Sequence, residues 1–298
     1  MKPQSVSIQV GDKAIELSHP DKVLYPDDSL TKTDVAIYYQ QVAPVMLKHI
    51  SNRPLSLKRF PDGIHEEGFF QKNRPAGAPE WVAHASFGHG ATQKDYVIAT
   101  EEATLVWLAN LACLELHQMH CFYNFPDTPD YFVFDLDPPA EYPFRQLTAI
   151  AIELKRHIES YGYAVFVKTS GGKGVHLLSP IVPRHDFRDV FKAVEMIART
   201  FTASFPNETT LSLKKHDRKG RIFIDIFRNH PGQTIVSPYS LRARPGAPVS
   251  APLDWEKFSE TTDPKSFNLK TIPELLRTAG DPWQDFAQQA RALHTSRS

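Results

Sequence analysis

Residues 131–139, YFVFDLDPP, constrain the fold more than any other part of the sequence. Four residues suited to a pleated strand lead into Asp-x-Asp, and two prolines end the strand. Because residues i and i+2 of a strand point to the same face, Asp135 and Asp137 are predicted to lie side by side. Phe134 and Leu136 then face a core. The stretch predicts a buried strand with two carboxylates at its end.

Two carboxylates at this spacing repel each other, and each raises the pKa of the other unless a cation lies between them. A divalent cation that prefers oxygen ligands, Mg²⁺ or Mn²⁺, is the natural partner. The alternative is a pair of turn carboxylates after an edge strand. Other parts of the sequence have to decide between a metal-binding pair and two turn carboxylates.

The composition is that of a globular protein. Of 298 residues, 41% are hydrophobic and 23% are charged, and the formal net charge is zero. A nucleic-acid surface would therefore have to come from local segregation of charge. No apolar run approaches the roughly 20 residues of a membrane span, and the N-terminus lacks the pattern of a signal peptide. These features predict a cytoplasmic, reducing compartment and no membrane partner.

The two cysteines, Cys113 and Cys121, lie near His117 and His120 in the sequence, which raises the alternative of a zinc site. The paired CxxC spacing of a structural zinc site is missing, so buried, reduced thiols are the favoured interpretation.

Hydrophobic periodicity and turn residues place most elements before the Asp-x-Asp strand. The predicted elements are a hairpin over 5–17 with a turn at Gly11-Asp12, a helix from Thr31 or Thr33 to Ile50, strands over 51–60, 95–99 and 115–120, and a helix over 104–114.

From the Asp-x-Asp strand onward the pattern is β-α-β-β-α-β. The further predicted elements are helices over 143–161 and 186–204, a strand over 163–169 that leads into the segment 170–178, a strand over 221–228, and C-terminal helical stretches over 273–279 and 283–294. This order is the ferredoxin-like arrangement that RNA-recognition modules and polymerase palms share.

A third acid, Asp225, stands between Ile224 and Ile226 in a predicted strand. A lone acid in an apolar strand is costly unless it faces a ligand or a partner. In a ferredoxin-like sheet this strand could lie beside the Asp-x-Asp strand. Three carboxylates at one site can hold two divalent ions for displacement at phosphorus.

The segment SGGKGVH supplies the hydroxyl of Ser170, the ammonium of Lys173 and the imidazole of His176. Its glycines allow backbone N–H groups to approach an anion, which the lysine neutralises. The spacing is not that of a Walker A loop. The alternatives are a phosphate-binding loop and a plain Gly-rich hairpin.

Basic and aromatic residues mark further candidate contacts with a polyanion. The run 214–221 has five Lys or Arg residues and one acid, and it is either a solvated loop or a surface for phosphates. Arg228, Arg242 and Arg244 follow and could bind phosphates bidentately. In the segment FFQKN, either one phenylalanine is core and its neighbour is exposed for stacking on a base, or both are buried.

Taken together, the segments DLDPP, KTSGGKGVH, IFIDIFRN and TIVSPYSLRARPGAPVSAPLDW resemble the polymerase domain of bacterial ligase D. That domain belongs to the archaeo-eukaryotic primase superfamily and serves non-homologous end joining. The likeness covers nearly the whole chain, including HPDKVLYP, FFQKN and WLANLACLELH.

The resemblance implies a role for individual residues. The implied metal-binding and catalytic residues, for two Mn²⁺ or Mg²⁺ ions, are Asp135, Asp137 and Asp225. The implied nucleotide contacts are Ser170, Gly172, Lys173, His176, His117, Arg242 and Phe70. The implied 5′-phosphate contacts are Lys22 and Lys32, for which the alternative is two solvated lysines. The implied primer and template contacts are Phe69, Phe70, Arg59, Lys215, Arg218 and Arg228.

The resemblance also implies an α+β primase fold in a single domain over 1–298. An N-terminal αβ module (1–120) would pack against a catalytic palm (121–245), followed by a C-terminal wrap (246–298). The ligase and nuclease domains that often accompany this domain are not in the sequence, which is either an excised piece or a stand-alone homologue.

The implied function is a template-directed DNA or RNA polymerase that extends 3′ ends at gaps or breaks, with a preference for ribonucleotides. Its implied partners are gapped or broken DNA with a 5′-phosphate, NTP or dNTP, Ku and a DNA ligase, at the bacterial nucleoid. Two alternatives remain, a primase that starts chains de novo and a non-catalytic module that bridges DNA ends.

Overall fold

The computed structural model describes residues 5–88 and 93–293. The chain divides into two compact units, which are taken one at a time below. Unit 1 comprises Met1–Met119, Val236–Ala251 and Lys265–Asp281, and unit 2 comprises His120–Ile235, Pro252–Pro264 and Pro282–Ser298. Residues 246–298, predicted as one C-terminal wrap, are thus distributed over both units.

The helices in the described residues are α1 (Lys32–Ile50), α2 (Glu102–Asn110), α3 (Phe144–Glu159), α4 (Phe187–Ser204), α5 (Lys215–Arg218), α6 (Trp255–Glu260) and α7 (Ile272–Ala279). The strands before residue 130 are β1 (Ser5–Val10), β2 (Lys13–Ser18), β3 (Val23–Tyr25), β4 (Leu30–Thr31), β5 (Pro54–Arg59), β6 (Phe69–Gln71), β7 (His84–Phe87), β8 (Lys94–Ile98) and β9 (Cys113–Met119). The strands after it are β10 (Tyr131–Asp137), β11 (Phe166–Thr169), β12 (Val175–Pro180), β13 (Thr209–Thr210), β14 (Ile222–Asp225), β15 (Thr234–Val236) and β16 (Pro252–Leu253).

The sheet of unit 2 has the strand order β13-β14-β10-β12-β11-β16. Strand β10 lies between β14 and β12 and is antiparallel to both, and β11 is antiparallel to β12. With α3 between β10 and β11, and α4 after β12, this is the split β-α-β arrangement of a ferredoxin-like palm. The predicted α+β palm is therefore confirmed, and β14 lies directly beside the Asp-x-Asp strand.

Strand β10 separates two faces of the unit 2 sheet. Phe132, Phe134 and Leu136 alternate with Tyr131 and Val133, and all five side chains are buried. On the face of Tyr131 and Val133 a cluster forms with Leu178, Ile235 and Trp283. Asp135 and Asp137 continue this second face toward the end of the strand, where the hydrophobic cover stops.

Helix α1 of unit 1 begins after one of the two predicted N-cap residues. Thr31 is its N-cap: the Thr31 side chain accepts from the Asp34 backbone N–H, and the Asp34 carboxylate accepts from the Thr31 backbone N–H. Such a capping box satisfies two donors that the helix itself cannot. Between the two predicted caps the structure thus selects Thr31, while the Thr33 hydroxyl donates to the Pro20 carbonyl.

The sheet of unit 1 includes β9, β5, β8 and β7 in that order, with β6 also paired to β5. Strands β1 and β2 form the predicted hairpin, with Gly11 at a positive φ of 58° in its turn.

Two predicted elements differ from the structure. The predicted strand over 221–228 ends at Asp225, and a turn of 3-10 helix follows at Phe227–Asn229. The predicted helix over 283–294 is wrong within the described residues 283–293, where the structure has a single turn of 3-10 helix at Ala287–Gln289. Apolar residues there recur at helical spacing, but Trp283 is anchored to the sheet instead, since its indole N–H donates to the Val167 carbonyl. Among the helices of the described residues, none is both long and apolar enough to cross a lipid bilayer.

Candidate active site

Four polar side chains form a row across the sheet of unit 2. Lys168 on β11 is the register partner of His176 on β12, which is the partner of Asp135 on β10, which in turn is the partner of Asp225 on β14. Directly opposed residues of neighbouring strands project from the same face, so all four side chains lie on one side of the sheet. The third carboxylate is thereby brought beside the first.

The row is connected by close contacts. The Lys168 ammonium lies 2.7 Å from Nδ1 of His176, and Nε2 of the same imidazole lies 3.4 Å from a carboxylate oxygen of Asp135. Across the next strand boundary, Nε of Arg228 lies 3.7 Å from Asp135 and 3.5 Å from Asp225. The two carboxylates thus share one guanidinium.

Asp137 lies two residues beyond Asp135 on the same face and has its own cationic neighbours. Lys173 Nζ is 3.5 Å from one carboxylate oxygen, and Nη1 of Arg218 is 3.4 Å from the other. The Arg218 guanidinium also lies 3.9 Å from the centre of the Phe223 ring and donates to the carbonyls of Ser212 and Leu213. Arg218, predicted as a primer or template contact, is thus fixed beside a predicted metal ligand.

The two opposed carboxylates have pKa values displaced in opposite directions. Burial raises the pKa of Asp225, and the negative charge of Asp135 raises it further. Burial also acts to raise the pKa of Asp135, but the charge and hydrogen bond of His176, with smaller effects of Arg228 and Lys168, outweigh it and lower the pKa. This separation is the behaviour of two interacting acids at one site.

The loop between β11 and β12 carries the predicted phosphate-binding residues. The Ser170 hydroxyl accepts from the Gly172 backbone N–H, and Lys173 is exposed. A β-carbon on Gly174 would come within 2.5 Å of the Leu136 carbonyl oxygen. Glycine at 174 therefore lets the loop begin β12 in direct contact with the strand that carries Asp135 and Asp137.

The donor set suits a hard divalent cation in kind and direction. Three carboxylates project from one face of two adjacent strands, and each side chain is partly exposed. Within 5–88 and 93–293, however, no three His, Cys, Asp or Glu side chains are clustered closely enough to enclose a metal ion. Cationic nitrogens contact these oxygens instead, and Arg228 spans the place between Asp135 and Asp225. The carboxylates are thus of the chemical kind that binds a divalent cation, but in this arrangement their oxygens are paired with nitrogens.

Unit 1 brings together another group of predicted nucleotide contacts around a buried acid. Nε2 of His117 lies 2.9 Å from Glu115, and Nε of Arg242 lies 3.3 Å from the same oxygen. The backbone N–H of Ala243 donates to the other Glu115 oxygen, and the Phe70 ring meets the His117 ring edge to face at 5.4 Å. Glu115 thus orients His117 and Arg242 simultaneously.

Glu115 stays ionised because of its partners. Its burial acts to raise its pKa, but the hydrogen bond with His117 and the charges of Arg242 and His117 outweigh that effect and hold the pKa at about 2. Burial lowers the pKa of His117, against the opposing effect of Glu115. A neutral imidazole beside an ionised carboxylate donates its Nε2 proton to that carboxylate.

Neither alternative for the FFQKN segment is right, because both phenylalanines are exposed, Phe69 by 45% and Phe70 by 57%. Strand β6 is three residues long and pairs with the end of β5, so neither face of it reaches a core. The guanidinium of Arg59 lies over Phe69 and the ammonium of Lys58 lies over Phe70. Both rings are left accessible for stacking.

The two lysines predicted at a 5′-phosphate have different surroundings. Lys22 is half-exposed and lies 2.7 Å from Asp62. Lys32 is buried, and its ammonium donates to the carbonyl and the hydroxyl of Ser18, so the alternative of two solvated lysines is wrong for Lys32. Burial lowers the pKa of Lys32, with further effects of Lys22 and Arg59.

The remaining candidates are one exposed lysine and two buried cysteines. Lys215 is exposed on the short helix α5 and contributes charge to the surface. Cys113 and Cys121 are both buried thiols, as the favoured interpretation predicts. Burial raises the pKa of Cys113 to about 12, so its thiol stays protonated.

Comparison with known proteins identifies the family. The family model described as "LigD, primase-polymerase domain" matches residues 31–283. The chain belongs to the LigD primase-polymerase domain family.

Several relatives of this LigD-family chain are full-length repair proteins. It is 34% identical over 291 residues to the multifunctional non-homologous end joining protein LigD of Mycolicibacterium smegmatis, covering 95% of this chain and 38% of that protein. It is 31% identical to the bifunctional LigD of Bacillus subtilis, covering 91% of this chain and 44% of the relative. The chain thus spans less than half the length of either relative.

A solved structure gives the same result. The polymerase domain of Mycobacterium tuberculosis ligase D, solved in complex with DNA, superposes with a TM-score of 0.87 at 30% identity, covering 93% of this chain and 99% of that one. The LigD polymerase fold therefore extends over nearly the whole chain, which confirms the resemblance and the predicted fold class.

Sequence reasoning missed two residues of these clusters. In the sequence, Lys168 and Glu115 each stand in a β-rich apolar run and belong to none of the motifs named above. The available signal was the one applied to Asp225: a charged residue within a β-rich apolar run is costly unless it faces a partner.

Proposed function

We propose that this chain is a template-directed nucleotidyltransferase that extends 3′ ends at gaps or double-strand breaks during non-homologous end joining. The observation that carries the proposal is the register of β10 and β14, which sets Asp225 opposite Asp135 with Asp137 next along the same face. Membership of a primase-polymerase family supports it, as does the bound DNA named for the structural relative.

In this proposal Asp135, Asp137 and Asp225 hold two divalent cations, Mn²⁺ or Mg²⁺. When bound, such ions lower the pKa of an attacking hydroxyl and stabilise the charge of a pyrophosphate leaving group. The negative charge needed to hold them is concentrated here, since the carboxylates pair with Arg228, Lys173 and Arg218.

The loop residues bind the triphosphate of the incoming nucleotide. Lys173 supplies an exposed ammonium, His176 supplies an imidazole N–H, and the backbone around Ser170 and Gly172 supplies further donors. Fixed cations and donors at the phosphates stabilise charge that develops during phosphoryl transfer. His117, Arg242 and Phe70 keep the nucleotide contacts that the family resemblance implies.

The DNA contacts are also assigned by this proposal. Lys22 and Lys32 bind the 5′-phosphate of the downstream strand, and Phe69 and Phe70 stack on bases. Arg59, Lys215, Arg218 and Arg228 contact primer or template phosphates. The preference for ribonucleotides, the partners Ku and DNA ligase, and the location at the nucleoid remain predictions from the resemblance.

Primer extension on a gapped duplex tests the function. A labelled primer, a template gap and a 5′-phosphorylated downstream strand are combined with NTP or dNTP, and with Mn²⁺ or Mg²⁺. Incorporation that follows the template base supports the proposal. Synthesis on bare single-stranded template without a primer would indicate a de novo primase, and DNA binding without any incorporation would indicate an end-bridging module.

A further inference from the structure

Lys168 is a buried cation that contacts the proposed nucleotide-binding residue His176. It lies in β11 with none of its surface exposed to solvent. An ammonium in such a position costs free energy that a Met side chain of similar length would not. A buried ammonium at this position is therefore expected to have a specific partner.

The contact with His176 restricts the imidazole to one tautomer. A lysine ammonium has three donors and no acceptor, and it lies 2.7 Å from Nδ1 of His176. The charge of Lys168 also acts on Asp135 and helps to lower the pKa of that carboxyl, as expected of an ammonium that only donates in this contact. Nδ1 must then be the acceptor, and the single proton of the neutral ring lies on Nε2.

The other side of the ring needs that proton. Nε2 of His176 faces a carboxylate oxygen of Asp135 at 3.4 Å, and both side chains are largely buried. In the Nδ1-protonated tautomer the lone pair of Nε2 would face this anion, and Nδ1–H would face the ammonium. Both contacts would be repulsive, and both are attractive in the Nε2-protonated tautomer.

We propose that Lys168 is a positioning residue that keeps His176 as an Nε2–H donor, directed first at Asp135 and then at a phosphate oxygen of the bound nucleotide. The tautomer follows from the contacts alone, whereas the role toward phosphate rests on the proposed function. The strand register supports the assignment, because Lys168, His176 and Asp135 are successive partners across β11, β12 and β10.

Nitrogen NMR of the whole chain tests the tautomer without any reaction. Protein labelled with ¹⁵N-histidine is studied at pH 8 without metal, and the His176 signals are assigned from their loss in His176→Gln. The wild type should show Nε2 protonated and Nδ1 unprotonated; an Nδ1-protonated ring would overturn the proposal. Lys168→Met, which preserves volume, should shift the ring toward a mixture of tautomers, and an unchanged ring would equally overturn it.

Kinetics test the role toward the nucleotide. Because a hydrogen bond to a charged group is worth roughly 1.5–3 kcal/mol, we expect Lys168→Met to raise KM for NTP by about tenfold or more. The variant Lys192→Met, which removes a cation from the exposed face of α4, should leave KM unchanged.

A double-mutant cycle separates positioning from a general structural effect. If Lys168 acts through His176, Lys168→Met should have no further effect in the His176→Gln background. Independent, additive losses would overturn the proposal. Should the wild type incorporate no nucleotide at all, the proposed function and the phosphate role fail together, while the NMR result still decides the tautomer. If Lys168→Met fails to fold, the wild-type NMR spectrum still decides the tautomer of His176.

Discussion

The carboxylates of Asp135 and Asp225 occupy directly opposed positions on two neighbouring strands, and one nitrogen of Arg228 contacts both. Without such a cation the two charges would repel each other across the strand boundary. The guanidinium of Arg228 therefore supplies the counter-charge to both carboxylates, and under the proposed function a divalent ion would have to displace it.

Replacing Arg228 should change how the protein responds to metal. In Arg228→Gln the carboxylates lose their shared counter-charge, so we expect a lower melting temperature without metal and a larger rise on adding Mn²⁺. Thermal unfolding with and without Mn²⁺ measures both. The variant Arg199→Gln, on the exposed part of α4, is the control. An unchanged response to Mn²⁺ in Arg228→Gln would show that metal does not bind between these acids.

Asp137 provides the sharpest test of the carboxylate site. We expect Asp137→Ala to reduce primer extension by about 10³-fold or more, because one of the three carboxylates that would hold the metal ions is lost. Gel-shift affinity for gapped DNA should be retained. Glu153→Ala, on a half-exposed acid of α3, should behave as the wild type. Undiminished extension by Asp137→Ala in Mn²⁺ would refute the metal assignment.

The ion pair between Lys22 and Asp62 predicts opposite effects of two substitutions. Exposed pairs contribute little to stability, so Lys22 can exchange Asp62 for a phosphate. Lys22→Ala should weaken the preference for 5′-phosphorylated over unphosphorylated gaps, and Asp62→Asn should strengthen it several-fold. Binding of both duplexes is measured by fluorescence anisotropy, with Lys48→Ala as the control. Equal binding of the two duplexes by the wild type would remove this role.

Glu115 should give unit 1 a specific acid sensitivity. Its folded pKa of about 2 lies below its ordinary value of 4.5, so its ionised form stabilises the fold above pH 4.5, and this contribution is lost as the pH falls toward 2. Between pH 6 and pH 3 the loss is roughly 2 kcal/mol. Urea unfolding should show this difference in acid sensitivity between the wild type and Glu115→Gln. Identical pH profiles would mean that Glu115 is not held ionised.

The N-cap of α1 predicts a purely structural effect. Thr31→Ala removes the side-chain acceptor of the capping box and should lower the free energy of unfolding by about 1 kcal/mol. Thr31→Ser retains the hydroxyl and should lose much less, as measured by urea unfolding. A loss in the serine variant as large as in the alanine variant would place the effect outside the cap.

Structural features that depend only on neighbouring residues could be predicted from the sequence. Gly11 marked the hairpin turn, Thr31 marked the start of α1, and the spacing of Asp135 and Asp137 placed both on one face. Asp225 was placed beside them only through an assumed strand order, which the structure confirms. The failure at 283–294 has the same origin: apolar spacing does not reveal that Trp283 bonds to a strand more than a hundred residues earlier.

Contacts that arise only when strands pair or distant segments meet could not be predicted from the sequence. Lys168 becomes the partner of His176 only because β11 pairs with β12 in one particular register, and a shift by one residue would turn it to the other face. Glu115 is likewise defined by Arg242, which lies more than a hundred residues later in the chain. Long-range partners of this kind cannot be read from one sequence.

The close approach of Gly174 to the carbonyl of Leu136 limits how this protein can diversify. Any larger residue there must either separate β12 from the central strand or push the Ser170–Lys173 turn outward, and both movements displace groups around Asp137. Substrate preference can therefore change at the exposed tip of that turn, at Gly172 or Lys173, far more readily than at its base. A library that randomises the whole segment should recover glycine at 174 and variety at the tip.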